Sequence, residues 1–353
     1  MRPLLMAALA LLQVPTHTPD GFRVPKAGHR FTFPRDHGSH PDFRTEWWYW
    51  TGHLADAQGR RFGFQLTFFR QAAPRAAWKG SAAWRSDQLH LAHAALTDID
   101  GKRFRVEERL DRAGLMAGAS EAGLEVFHGP WRGTGRRLSF QVQGAEVELD
   151  LQALTEPVIF GEDGVSRKGE DPTAVSHYVT FPRLRAQGRL RLPGEPAREV
   201  QGQAWMDHEW SSNQLDAEQV GWDWASLQLE DGRSLMAYRL RRRDGRQDPW
   251  SSATLLDPAG RLLQRTRSFS LVALGAWRSP ASGATYPLPL RLEAFGETWR
   301  LEPLLEDQEL RTTRSNGITY WEGACRVLDA TGAPRGRAYV ELTGYAGSLK
   351  GRF

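Results

Sequence analysis

The chain of 353 residues contains one cysteine, Cys325. A single thiol forms no intramolecular disulfide and no thiolate metal site. Lysine is also scarce. Five of the 46 basic residues are lysine and the rest are arginine, a skew that reads as coding bias from a G+C-rich genome. A net charge of +4 over this length is too small to argue for nucleic acid. Long apolar runs are missing, since the stretch 4–12 is too short to span a bilayer as a helix. Enzyme signatures fail in turn. Ser212 stands where a zincin that began at His208-Glu209 would need its second histidine. The stretch 164–169 misses the spacing of a nucleophile elbow, and neither a P-loop nor a dinucleotide fingerprint occurs. His37 and His40 lie three apart in a polar loop without a clear third ligand, so no metal site is assigned. No cofactor is expected.

Sustained helical periodicity is scarce, and short alternating runs take its place. Examples are 61–70 (RFGFQLTFFR), 139–151 (SFQVQGAEVELDL), 222–229 (WDWASLQL) and 234–240 (SLMAYRL). Alternation at period two predicts half-buried strands, and turn signals recur between them. The fold class is all-β, of barrel or sandwich architecture. Residues 1–20 read as a signal peptide, with Arg2, the apolar run and Ala8-Leu9-Ala10 as the nearest cleavage site. Export to the periplasm or the exterior follows, with no transmembrane span in the mature chain. The arginines at 239 and 241–243 precede an Asp-Gly turn and read as a solvated hairpin end.

An internal repeat is present. Trp48-Tyr49-Trp50 leads to Gly59-Arg60 and a second strand, and Trp222-Asp223-Trp224 leads to Gly232-Arg233 and another. A looser copy joins Tyr320-Trp321-Glu322-Gly323 through Asp329 to Gly336-Arg337. The repeat predicts two similar β-domains, with a boundary in the polar stretch after Trp210.

Two segments carry candidate chemistry. In Thr45–Gly52 (TEWWYWTG), a strand places Glu46, Trp48 and Trp50 on one face and Trp47, Tyr49 and Thr51 on the other. Any one tryptophan is more simply core, but a carboxylate on a tryptophan-bearing face must be hydrogen-bonded, paired or protonated. Asp42, Arg44 and Glu46 alternate and suggest a charged latch. In Trp205–Ser212 (WMDHEWSS), Trp205, Asp207 and Glu209 point one way, and Met206, His208 and Trp210 the other. Apolar walls raise carboxyl pKa values, which would leave a proton donor at neutral pH. The alternative is a buried His–carboxylate pair that fixes a strand end.

The segment from Phe31 through TEWWYWTG, with WMDHEWSS downstream, resembles the AttH/CrtC family of lipocalin-like bacterial proteins and carotenoid 1,2-hydratases. The resemblance implies two tandem lipocalin-like antiparallel β-barrels, over 28–214 and 215–353. It implies an exported protein that binds a long apolar ligand, a lipid or polyene, beside an ABC-transporter permease. The alternatives are a hydratase that adds water to a C=C bond by acid catalysis, and a structural partner without a ligand. The His-x-Trp element of hydratases matches His208 and Trp210, whereas their Tyr-x-Asp element falls on Tyr238-Arg239-Leu240, which lacks the acid. The candidate acids are then Glu46, Asp207 and Glu209, and the candidate ligand contacts are Trp47, Trp48, Tyr49, Trp50, Trp205, Trp222, Trp224 and Tyr238.

Overall fold

A computed structural model describes residues 15–73, 87–347 and 349. Most of the expected signal peptide, 1–20, therefore lies outside the described residues. The described chain is almost entirely antiparallel β-structure, with one short 3-10 turn at Arg35–His37.

The first sheet begins with β1 (Thr45–Asp56), β2 (Arg61–Ala72), β3 (Gln88–Asp98) and β4 (Arg103–Arg112). It continues through the short strands β5 (Ala117–Ala119), β6 (Glu125–His128) and β7 (Trp131–Thr134), then β8 (Arg137–Val142) and β9 (Ala145–Ala153). The two-residue strands β10 (Val158–Ile159) and β11 (Ser166–Arg167) add to the long β12 (Val175–Arg191), which precedes β13 (Arg198–Ser211). The strand order is β4-β3-β2-β1-β13-β12-β9-β8-β7-β6-β5, so the last strand returns to pair with the first. The stretch 139–151, which reads as continuous alternation, is a hairpin. Gln143 (φ 46°) and Gly144 (φ 77°) turn the chain without interrupting the period of two.

The second sheet uses β14 (Gln219–Leu229), β15 (Ser234–Arg242), β16 (Ser252–Leu256), β17 (Leu262–Thr266) and β18 (Ser270–Ala273). A small separate hairpin, β19 (Trp277–Arg278) and β20 (Thr285–Tyr286), leads to β21 (Leu290–Ala294) and β22 (Glu297–Pro303). The chain closes with β23 (Glu309–Arg311), β24 (Thr319–Leu328) and β25 (Pro334–Leu342). The order β17-β16-β15-β14-β25-β24-β22-β21-β18 repeats the first sheet's plan, with β14 held between β15 and the final strand as β1 is between β2 and β13. The two barrels thus stand in tandem. In the third repeat copy the turn glycine is Gly332 (φ 87°), and Gly336-Arg337 already lies within β25.

Each barrel is filled by its own apolar side chains. Trp48, Trp50, Phe62, Phe64, Leu66 and Phe68 alternate inward from β1 and β2 and are buried in the first interior. Ala225, Leu227, Trp299, Trp321 and Val340 fill the second. A third cluster lies between the barrels, where Tyr49, Tyr178 and Trp205 of the first sheet meet Trp224, Tyr238 and Tyr339 of the second. The sheets approach closely at Gly63, where a Cβ would stand 2.7 Å from that of Ala324. Polar bridges stitch the same face: Gln228 Nε2 donates to the carbonyls of Pro182 and Ala204, and Thr97 donates to Gln308 Oε1 at 2.8 Å.

Candidate functional site

The two faces of β1 and β13 carry two separate constellations. The inward face holds Glu46, His208 and Trp210 at one end of the first barrel. Glu46 is fully buried, and its Oε1 meets His40 Nδ1 at 2.8 Å and His208 Nε2 at 2.9 Å. Its Oε2 accepts from Arg70 Nε and from the His40 amide, both at 2.9 Å. Burial alone would raise Glu46, but Arg70, His208 and His40 hold it well below the ordinary carboxylate range. Burial would lower His40 too, yet Asp36 and Glu46 raise it. Trp210 stacks on His40 with centroids 3.9 Å apart, and Trp48 stacks on His208 at 4.9 Å.

This cluster is a buried ionic network, in which His208 Nδ1 has no hydrogen-bond partner among the described residues. His40, Glu46 and His208 bring three potential metal-ligand atoms within 4.8 Å of one another. A metal ion there would have to displace the proton that Asp36 and Glu46 favour on His40, and Arg70 already compensates the carboxylate. Glu46 is therefore an ionised group and a poor acid. The latch expected of Asp42, Arg44 and Glu46 does not form. Strand β1 starts at Thr45, and Asp42 pairs with Arg23, Arg44 with Asp20, and Glu46 with Arg70 across the strand.

The opposite face opens on a cavity of about 90 Å³ between the two sheets. Trp47 and Tyr49 of β1, and Asp207 and Glu209 of β13, line it from one side. Trp222 and Trp224 of β14, Tyr238 of β15, Glu322 of β24 and Glu341 of β25 line it from the other. Strand pairing explains the juxtaposition, because Tyr49 lies opposite Asp207, and Trp224, Glu341 and Glu322 fall in one row across β14, β25 and β24. Trp205 lies beside the cavity and donates its Nε1–H to Asp207 Oδ1 at 2.7 Å. Trp48 and Trp50, by contrast, are packed in the barrel interior.

Asp207 is saturated with donors. Thr180 joins Trp205 on Oδ1 at 2.6 Å, and the Tyr178 hydroxyl donates to Oδ2 at 2.6 Å. Burial raises Asp207 to about 7, against the pull of these three donors. Glu209 is paired with buried Lys168 at 3.0 Å, whose ammonium also lies over the Tyr238 ring at 4.2 Å. Glu341 takes the Trp222 Nε1–H at 2.9 Å, and burial raises it to about 7. In Glu322, Oε1 accepts from the Tyr49 hydroxyl at 2.6 Å, while buried Oε2 has no hydrogen-bond partner among the described residues. Burial, together with the charge of Glu341, raises Glu322 well above its ordinary value.

A family model described as AttH-like matches residues 24–345. The chain belongs to the AttH-like family. Among solved structures, this AttH-like protein is similar to a Nitrosomonas europaea protein assigned to AttH, with 36% identity, TM-score 0.81, and coverage of 90% of this chain and 98% of that one. Kievitone hydratase from Nectria haematococca shares the fold at 14% identity and TM-score 0.65, over 94% of this chain and 96% of its own. CghA, solved with Sch210972, is likewise similar in fold at 14% identity and TM-score 0.51, covering 86% and 89%. No curated protein matches significantly.

In this AttH-like chain, the candidate acids Asp207 and Glu209 and the candidate contacts Trp47, Tyr49, Trp222, Trp224 and Tyr238 line the cavity. Glu322, Glu341, Lys168 and Tyr178 also line it and are not among the candidate residues singled out from the sequence. The acid missing two residues after Tyr238 is a cavity-facing Leu240, and carboxyls arrive instead from β24 and β25. A signal was available: the third repeat copy carries Glu322 within its aromatic cluster.

Proposed function

We propose that the inter-sheet cavity binds a compact, mainly apolar molecule, and that the protein acts outside the cytoplasm as a carrier of such a ligand for a transporter. One observation carries the binding reading: both barrel interiors are filled, while aromatic side chains from the two sheets leave a cavity of about 90 Å³ where they meet. For scale, an apolar cavity of ~150 Å³ takes up benzene. This space is smaller, so a ring-sized group enters where the lining side chains give way, and a long polyene would extend beyond it. The test is native mass spectrometry of the protein purified from its periplasm, beside Leu240→Trp, which fills the cavity. A co-purifying molecule lost in the variant supports the reading. Bare protein that also fails to take up small ring probes overturns it.

A second reading is acid-catalysed hydration of a C=C bond. The raised carboxyls on an aromatic cavity favour it, because protonated acids persist there beside ring faces suited to a developing cation. A carboxyl proton would bond to one alkene carbon using the π pair. Water would bond to the other carbon, and its proton would return to the carboxylate. Turnover of an added alkene, measured by incorporation of labelled water, separates this reading from simple binding.

A further inference from the structure

The two acids picked out by the WMDHEWSS motif are both occupied. Asp207 accepts three hydrogen bonds, and Glu209 is ion-paired with Lys168. The acid with spare capacity comes from the other barrel. Glu322 and Glu341 face each other directly across β24 and β25, and both line the cavity. Like charges directly opposite on a ladder repel. Among the described residues no lysine, arginine or histidine pairs with either side chain, so nothing compensates two negative charges there. One proton is therefore retained by the pair.

The hydrogen bonds decide where that proton sits. Trp222 Nε1 donates to Glu341 Oε2, which suits a carboxylate. Glu322 Oε1 accepts from the Tyr49 hydroxyl, and Tyr49 has no reason to ionise because burial pushes its pKa well up. Glu322 Oε2 is left to carry the proton. That oxygen is buried and has no acceptor among the described residues, on a side chain that lines the cavity. A buried donor without an acceptor is costly, and a ligand that supplies one removes the cost.

Resting on the reading of the cavity as a ligand site, we propose that Glu322 is its hydrogen-bond donor and that the site selects uncharged ligands carrying an acceptor oxygen, such as ketones, over carboxylate amphiphiles. The selection against anions follows from the lining. Asp207, Glu209, Glu322 and Glu341 face the cavity, and its lining lysine, Lys168, is already engaged by Glu209. A ligand carboxylate would meet the Glu341 carboxylate with no free cation, whereas a ketone oxygen would complete the Glu322 hydrogen bond.

The probes are three matched rings, cyclohexanone, methylcyclohexane and cyclohexanecarboxylate, titrated into the full chain by tryptophan fluorescence and ligand-observed NMR at pH 7. Wild type is expected to bind cyclohexanone most tightly and the carboxylate at least about tenfold more weakly. Glu322→Leu should weaken cyclohexanone by about tenfold and leave methylcyclohexane within about twofold. Glu322→Gln keeps the shape and an N–H donor, and should restore most of the ketone affinity. Equal losses for ketone and hydrocarbon in Glu322→Leu would make the side chain structural and overturn the donor assignment. A carboxylate that binds as tightly as the ketone would overturn the selection. Failure of wild type to bind any of the rings would instead overturn the cavity reading, and this inference with it. Should Glu322→Leu misfold, difference infrared spectra of wild type and Glu322→Gln decide the same point: a protonated-carboxyl stretch at pH 7 that the variant lacks supports the donor, and identical spectra refute it.

Discussion

Burial treats two classes of acid in this chain in opposite ways, and the distinction is set by single residues. Glu46 lies opposite Arg70 across β1 and β2, as Asp223 lies opposite Arg239 across β14 and β15. Arg239 and Arg241, which read as a solvated hairpin end, are in fact turned onto buried Asp223. Removing a partner from such a network leaves an uncompensated buried charge, so Glu46→Gln should cost about 3–5 kcal/mol in urea unfolding at pH 7. The pH dependence has a definite sign. The folded-state pKa of Glu46 lies below the ordinary 4.5, so its stabilisation is complete above that value and is lost as pH falls through the folded-state value. The acid limb of the stability profile should be shallower in Glu46→Gln. Glu341 behaves inversely. Its folded value is raised from 4.5 to about 7, so the folded state holds the proton longer and stability falls as pH rises across that interval. Glu341→Gln, neutral throughout, should match wild type near pH 4 and exceed it at pH 8. The gain is about 1–3 kcal/mol, below the full linkage value because the carboxyl reaches cavity solvent.

At the scale of elements, the cavity is closed on one side by the loop between β23 and β24. Its Asn316 and Ile318 line the space. The loop is tied to the first barrel from two strands: Glu108 of β4 accepts from the amides of Thr313, Arg314 and Ser315 at 2.7–2.9 Å, and His93 Nε2 of β3 meets the Ser315 hydroxyl at 2.9 Å. Burial opposes its ionisation, yet the Ser315 hydroxyl and these amides hold Glu108 down to about 2, so the tie persists across the physiological range. Glu108→Ala should loosen the loop, leaving it the His93 contact. Hydrogen exchange of the 313–315 amides is expected to quicken while β1 and β13 keep their protection. Unchanged exchange would show that the loop is held by other contacts.

The whole molecule places its chemistry between barrels. Lipocalin-like architecture suggests an interior pocket, but fourteen tryptophans in the chain supply enough bulk to help fill the interiors and to line the junction as well. The junction depends on close approach at Gly63, where any Cβ would strike Ala324. Gly63→Val should therefore separate the sheets, lower the melting temperature and weaken uptake of ring probes together, measured by calorimetry and fluorescence titration. A loss of stability with unchanged uptake would place the ligand elsewhere.

Much of this was legible locally. Alternation at period two is a property of neighbouring residues, so the strands, the all-β class and the two faces of TEWWYWTG and WMDHEWSS follow from sequence alone. The repeated aromatic hairpins likewise announced two sheets of one design. What the sequence left open is which face meets what. Glu46 and Asp207 each stand beside tryptophans in the chain, yet one acquires Arg70 from the next strand and the other Tyr178, Thr180 and Trp205 in a row facing the second barrel. Glu322, 276 residues after Glu46, joins the same cavity as Tyr49 because the last strand of each barrel pairs back to its first. An acid's charge is decided by neighbours that arrive through space, and strand pairing at long range supplies those neighbours only when the chain folds.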